Sequence, residues 1–507
     1  MPTHLVAILA DQLLLEHPAL IHAQTLAPKT DIQVVLVESQ ARLQLRPYQR
    51  HKLVLVLSAL RHYAAALRAD GWQVTLIAAA SWRAGLLHTC AQFNPDSIIT
   101  MAGAEYNARR AQERWSSWLG RAVTVLPNRQ FLAADVPATG TKRQTMESFY
   151  RMMRVRYQLL LEADGSPVGG SWNYDAENRK PLPKHTPIPL VQRYLPDELT
   201  LQVIADVAAY PQTYGDASTF GLAVTHAQAA DALARFIRER LPDFGRYEDA
   251  MAADEDVLFH SLLSPYLNLG LLDPLTCARA AEAAYHAGLA PLAAVEGFVR
   301  QIVGWREYMY RRYWELMPEL RTMNAWAATR PLPEWFWQGQ SGMHCLDTVI
   351  ARVWRTGYTH HIERLMILTN FCTLAGIDPV AVNEWFLAGY IDAYDWVMWP
   401  NVSGMGLNAD GGLIATKPYI SSGAYIKRMS NYCAGCRYDP AVRTGPDACP
   451  YTMLYWNFLL THQPRLQANP RMGPAVLGLR HLDDAQRGDI QTQAVIWLQR
   501  LSEGTSA

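Results

Sequence analysis

Four of the seven cysteines stand where they could share one site. Cys433 and Cys436 form a C-x-x-C, Cys449 is followed by Pro450, and Cys345 lies far upstream beside His344 and Asp347. A C-x-x-C turn puts two thiolates on one face of a metal, and two further cysteines complete the set that zinc or an iron–sulfur cluster takes. A redox disulfide is a third use of the same residues, and spacing alone leaves the three open. Tyr432, Tyr438, Tyr451 and Trp456 flank these positions and would either shield a site or fill a core. Cys90, Cys277 and Cys372 read as small buried hydrophobes.

A second group of reactive types begins at His360 and His361, which open a helical pattern whose next turn carries Arg364 and Leu365. Residues four apart share a helix face, so His361 and Leu365 should point the same way. Histidine titrates close to neutrality, which suits proton transfer, although a capping or core pair is the plainer use. Arg364 and Asp392 could form an ordinary ion pair or a charge aimed at a ligand. Sixteen tryptophans mostly mean core, yet a few could carry electrons to a buried acceptor, with Trp385 and Trp337 the candidates by position and Phe386 too hard to oxidise to extend them.

The elements that must position these groups fall into two kinds. The runs Leu5 to Leu9, Val34 to Val37, Val74 to Ala78 and Ile98 to Met101 read as strands, with helical patterns at Lys52 to Ala69 and Glu105 to Leu119 between them. Such alternation predicts a doubly wound parallel α/β domain whose ligands sit beyond the carboxyl ends of the strands. Asp11 and Gln12 follow the first strand and Glu38 the second, so these three could line one crevice. Beyond about Ala227 helical patterns dominate, which predicts an almost wholly α-helical second domain. The expected division is an α/β domain over 1–130, a connector over 131–195 and a helical domain over 196–507.

The stretch from Gly140 to Pro189 is rich in Gly, Pro and cations and too long for an idle loop. Lys142, Arg143, Arg151, Arg154 and Arg156 are opposed there only by Glu147, a pattern that neutralises phosphates or merely solvates a helix. Formal net charge is zero over 507 residues, so nucleic-acid affinity would come from such local faces and not from the field of the whole chain. The apolar run after Met1 is broken by Asp11 and Gln12 and lacks a cationic segment before it, and few cysteines for this length argue against a disulfide scaffold. A cytoplasmic, membrane-free setting and a monomer are expected.

Over many ordered positions the chain resembles photolyases and cryptochromes. The likeness is carried by Leu262 to Gly270, Gly304-Trp305-Arg306-Glu307-Tyr308, the Gly-rich turn Gly339 to Gly342, Arg352 with Trp354, Gly357 to Arg364, Trp385, and Asp392-Ala393-Tyr394-Asp395. With the connector tract Trp172-Asn173-Tyr174-Asp175 and the four cysteines, it is similar to the iron–sulfur bacterial branch, whose characterised repair members act on (6-4) photoproducts. The resemblance implies FAD in the helical domain, with His260, Ser261, Leu263, Ser264, Gln301, Arg306, Tyr358, His361, Arg364, Asp392, Asp395 and Asn401 as its contacts. It implies a [4Fe-4S] cluster on Cys345, Cys433, Cys436 and Cys449, and 6,7-dimethyl-8-ribityllumazine as antenna near Asp11, Gln12 and Glu38. UV-damaged DNA would meet Arg179, Leu365, Met405, Tyr419, Arg151 and Arg154, with His361 the proton donor and His360 its support. Leu365 stands where animal-type members place a further histidine, so a single-histidine mechanism is implied. A blue-light receptor with the same cofactors is the rival function.

Overall fold

A computed structural model describes residues 3–136 and 144–502. Lys142 and Arg143 of the cationic tract therefore lie outside the described residues.

Strands β1 (His4–Ile8), β2 (Ile32–Ser39), β4 (Gln73–Ala79), β5 (Ser97–Met101) and β6 (Ala122–Leu126) form one parallel sheet in the order β4-β2-β1-β5-β6. Register pairs Val6 with both Val34 and Ile99, and Val34 with Val74. All eight residues of β2 are buried, as a central strand covered by helices on both faces requires. The order reverses around β1, and the crevice that opens there beyond the strand ends is where such sheets take ligands. β6 is a half-exposed edge strand whose short Ala-Val-Thr-Val-Leu run did not stand out in the sequence. The pattern read as one helix from Glu105 is two, Tyr106–Gln112 and Trp115–Leu119, and the break leaves Trp115 stacked on Trp82 at 4.4 Å.

Two residues of β3 (Tyr48–Gln49) pair in parallel with β7 (Thr213–Tyr214), clipping the sheet domain to the chain that enters the helical part. Lys52, on the helix Arg50–Ala69, completes the clip: its ammonium donates at 2.7 Å to the carbonyls of both Leu387 and Ala393. From Glu198 onward the chain is helical apart from β7. Three stretches of it are wound as wide π-turns: Arg300–Arg306, Arg364–Thr369 and Trp399–Gly406. Wide turns push side chains off the regular helical face and recur at functional sites. Among the described residues no helix is long and apolar enough to cross a membrane.

The connector contains a helix, Met146–Tyr157, that packs on the first wide turn, where Tyr150 fills the space a side chain at Gly304 would need. Arg154, expected at DNA, is instead 1 % exposed and donates to the carbonyls of Leu159, Leu160 and Trp172. Its charge is spent tying the helix end to the turn after it and to the connector at Trp172, and the Leu160 carbonyl also accepts from the N–H of Val168 at 2.9 Å. Arg151 stays near the surface, paired with Glu147 at 3.0 Å, and Arg156 is paired with Asp135. Replacing Arg154 by alanine should therefore lower stability by about 2–4 kcal/mol in urea unfolding, against about 0.5 kcal/mol or less for Arg151→Ala. Equal effects of the two would contradict the structural role.

Candidate functional site

The three wide turns converge on one cavity. About 1260 Å³ of empty space, part of it open to solvent, lies between the first wide turn, the segment 260–268, and the helices that begin at His361 and Asp395. His260, Ser261, Ser264, Gln301, Arg306, Tyr358, His361, Arg364, Leu365, Asp392, Asn401 and Met405 all line it. His361 and Leu365 meet there, as their spacing required.

The floor is a buried ion pair. Arg364 reaches Asp392 through two parallel bonds of 3.0 Å, donates from Nε to the carbonyl of Thr359 at 2.8 Å, and lies 4.1 Å above the ring of Tyr390. Asp392 also accepts from the hydroxyl of Ser264 at 2.7 Å, while Asn268 donates to its carbonyl at 2.8 Å. Burial disfavours the charge on Arg364, but Asp392 and the neighbouring tyrosines more than restore it. At one end of the cavity Arg306 is bonded through Nη1 to Gln130 and Glu307 and packs on Phe131 and Trp396, yet its Nε and Nη2 are buried with no partner. Two unpartnered nitrogens on a buried cation are what an anionic ligand group would satisfy. Asn401 is fixed by Trp305 Nε1, which donates to it at 3.1 Å, and by its own bond to the carbonyl of Val397.

His361 sits at the mouth with its side chain 49 % exposed and its Nε2 3.7 Å from Asp249. Burial works against the Asp249 charge, but the hydrogen bond and charge of His361, with Arg179, hold its carboxyl below the usual range. Arg179 stands at this rim in a left-handed conformation (φ 61°), held by Glu248 at 2.9 Å and Asp175 at 3.4 Å. His360 does not face the cavity; it is buried behind it, stacked on His260.

Several expected contacts fall elsewhere. Leu263 is a core residue that begins the helix Ser264–Leu269 and does not line the space. Asp395 points to the other side of its loop, paired with Arg321 at 2.7 Å, because its backbone N–H is drawn to Glu105. Tyr419 packs against the helical core beside Lys417 and does not line the cavity. Trp385 is buried behind Phe386, which does line it, and meets that ring edge-on at 5.2 Å. Trp337 makes its ring contact with Tyr214 at 5.5 Å and not with Trp385.

A second cavity, about 1360 Å³ with its open part, lies at the strand ends and is lined by Asp11, Arg42, Tyr48, Lys52, Trp82, Glu105, Trp115, Ala393 and Tyr394 among others. On its wall a single nitrogen of Arg42, Nη2, donates to both carboxylate oxygens of Glu105, at 3.0 and 2.9 Å. Burial and the nearby Glu105 push the Asp11 carboxyl up to about 7, and burial with Arg42 and Arg46 pulls the Lys52 ammonium down to about 7. Gln12 turns away to the carbonyl of Ala102, and Glu38 is held by Arg61 at 2.7 Å, so neither lines this space. Arg42, Lys52 and Glu105 belong to no motif in the sequence: two are helical, Glu105 precedes a helix, and only the fold brings Glu105 to the other two. The loop Asp392-Ala393-Tyr394 is the wall between the two cavities, with Asp392 on one side and Ala393 and Tyr394 on the other.

Cys345, Cys433, Cys436 and Cys449 line a third, small cavity with Tyr432, Tyr438 and Tyr451. Burial and the mutual proximity of the sulfurs raise the thiol of Cys345 well above its ordinary value and that of Cys433 to about 11. Among the described residues no three His, Cys, Asp or Glu side chains converge closely enough to grip a single ion.

This architecture is that of photolyases and cryptochromes. A bacterial class III photolyase from Agrobacterium tumefaciens superposes with a TM-score of 0.57 at 16% identity, covering 99% of this chain and 98% of its own. A Synechocystis cryptochrome superposes with a TM-score of 0.56 at 16% identity, covering 85% and 88%. Residues 6–222 match the family model described as deoxyribodipyrimidine photo-lyase-related protein. The (6-4) photolyase of Agrobacterium fabrum is 41% identical over 98% of this chain and 100% of its own length. The chain belongs to the photolyase-related family, whose membership implies FAD. The first cavity fits that group: its volume, the paired Arg364 and the unspent N–H groups of Arg306 match a large ligand with a diphosphate.

If the ion pair is the floor of this site, Asp392→Ala leaves Arg364 buried and uncompensated. Urea unfolding should then show a loss of about 3–5 kcal/mol. A loss below about 1 kcal/mol would mean that the pair is not structurally coupled to the cavity.

Proposed function

We propose that this chain repairs (6-4) pyrimidine photoproducts in DNA in a light-dependent reaction, with FAD in the first cavity and His361 as proton donor. The observation that carries the reading is the position of His361, half exposed at the mouth of a cavity whose floor is the Arg364–Asp392 pair. The full-length likeness to a relative named (6-4) photolyase supports the choice of lesion.

When bound and reduced, FAD supplies the electron that light drives into the lesion. The residues of the chain supply the rest. Arg364 places a fixed positive charge under the cavity, compensated by Asp392, so developing negative charge meets a preorganised cation. Arg306 would hold the diphosphate, and Asn401, fixed by Trp305 and Val397, would approach the flavin ring. A damaged base must leave the stack to enter, and Leu365 and Met405 give the apolar walls that would receive it. His361, beside Asp249, would give the proton that one pyrimidine needs, while Arg179 would meet a backbone phosphate in exchange for its pairing with Glu248 and Asp175.

Two further groups are part of the proposal. The four cysteines would hold a [4Fe-4S] cluster: four thiols line one small cavity, the ligand set such a cluster takes, and the likeness to the iron–sulfur branch favours it over zinc. The second cavity would take the lumazine antenna, with Trp82 and Trp115 as flat apolar surface and the Arg42–Glu105 pair as polar anchor. Trp385, edge-on at 5.2 Å to the cavity-lining Phe386, would serve as a step for electrons moving toward the cavity.

The test is to illuminate the protein with an oligonucleotide carrying one (6-4) lesion and to quantify restored bases. The wild type should repair it, and His361→Ala should lower the rate about 10²- to 10⁴-fold while still binding FAD. Absence of repair in the wild type would leave the photoreceptor reading in its place.

A further inference from the structure

Behind the first cavity lies a polar layer that this chemistry does not use. Glu363 is fully buried on the helix that carries His361. Its Oε1 accepts from the Tyr432 hydroxyl at 2.5 Å and from Arg352 Nη1, and lies 3.5 Å from Nε2 of His360. Its Oε2 has no partner, and neither ring nitrogen of His360 has one, although both groups are shut off from solvent. His360 lies flat on His260, with ring centres 4.4 Å apart and planes 10° apart, and His260 meets His361 edge-on at 5.2 Å. A chain of contacts thus runs from the buried carboxyl to the ring at the cavity mouth.

The groups facing this pair come from every neighbouring element: Arg352 and Tyr432, His260 and His361, Arg364, Tyr358 and Tyr390, and Asp256, which is spent on Arg352 at 2.9 Å and on Arg355. Burial lifts the Glu363 carboxyl to about 7 against the opposing pull of Arg352 and Tyr432. Burial and the neighbouring histidines and arginines hold His360 neutral. A neutral imidazole and a carboxyl in contact satisfy each other in two ways: the acid donates to Nε2, or the carboxylate accepts from Nε2–H.

We propose that Glu363 and His360 act as a buried acid–histidine pair whose proton sets the tautomer of His360, and through the stacked His260 the placement of His361. Glu363 is thus a positioning residue for the repair reaction, an inference that rests on the reading of His361 given above. As pH rises, the pair gives up one proton: the carboxyl O–H breaks, Nε2–H forms, and the proton on Nδ1 leaves. Nε2 faces the carboxyl group in both states, and the move of the ring proton from Nδ1 to Nε2 reverses the dipole presented to His260.

The test combines ring ¹⁵N NMR of histidine-labelled full-length protein with repair kinetics, in the wild type, Glu363→Gln and Tyr432→Phe. The amide keeps the shape and the acceptor for Arg352 and Tyr432 but cannot ionise. In the wild type the two His360 nitrogen signals should exchange character with a midpoint near neutrality, and in Glu363→Gln they should stay fixed at every pH. The kcat for repair should vary between roughly pH 6 and pH 8 in the wild type and lose that variation in Glu363→Gln, with KM for DNA unchanged. Tyr432→Phe removes a hydrogen bond that holds the carboxyl down, so it should move the midpoint to higher pH. His360 signals that ignore pH in the wild type, or that shift alike in Glu363→Gln, overturn the pair. A wild type that repairs nothing defeats the functional reading, while the NMR comparison still decides on the pair.

Discussion

The buried pair of Arg364 and Asp392 is the interaction on which the rest of the helical part depends. Three segments distant in sequence are tied through it: the helix that begins at His361, the turn carrying Ser264 and Asn268, and the loop Tyr390 to Asp395. A charge pair in such a place returns little net stability, because desolvation takes back most of the Coulombic gain. What it fixes is geometry. With both partners bonded on all sides, the cation cannot leave the cavity floor, and the wide turn that starts at Arg364 keeps the residues of its next turns facing the same space.

The same loop also joins the two halves of the molecule. Lys52 reaches from the sheet domain to the carbonyl of Ala393, one residue from Asp392, and Glu105 captures the backbone N–H of Asp395. Two large cavities therefore share a wall only a few residues long. For a light-collecting group in one and a redox group in the other, so thin a partition would keep the separation short. The clip β3–β7 and the contact of Gln49 with the Trp354 carbonyl hold that arrangement from a second side.

Much of this was legible in the sequence, and the parts that were share a cause. Periodicity located four of the five strands of the main sheet, since central parallel strands are continuous apolar runs. Helical spacing brought His361 and Leu365 to one face, and the family-like motifs around Arg364 and Asp392 named the floor of the cavity. What escaped depends on the third dimension. Arg154 looked like one more exposed cation, but the carbonyls of Leu159, Leu160 and Trp172 consume it. Asp395 and Glu38 follow chemically suggestive neighbours, yet each is turned aside by an arginine that no spacing rule connects to it. Glu363, Tyr432 and Arg352 are brought together by packing alone.

The central claim for this molecule is a flavin bound in the cavity whose floor is Arg364. Protein prepared in the dark without oxygen, and supplied with FAD, should bind one FAD per chain, released on denaturation and measured by its absorption. Substituting Arg364 by alanine should abolish most of that binding. Failure of the wild-type chain to retain FAD, or full retention by Arg364→Ala, would contradict the assignment of the cavity.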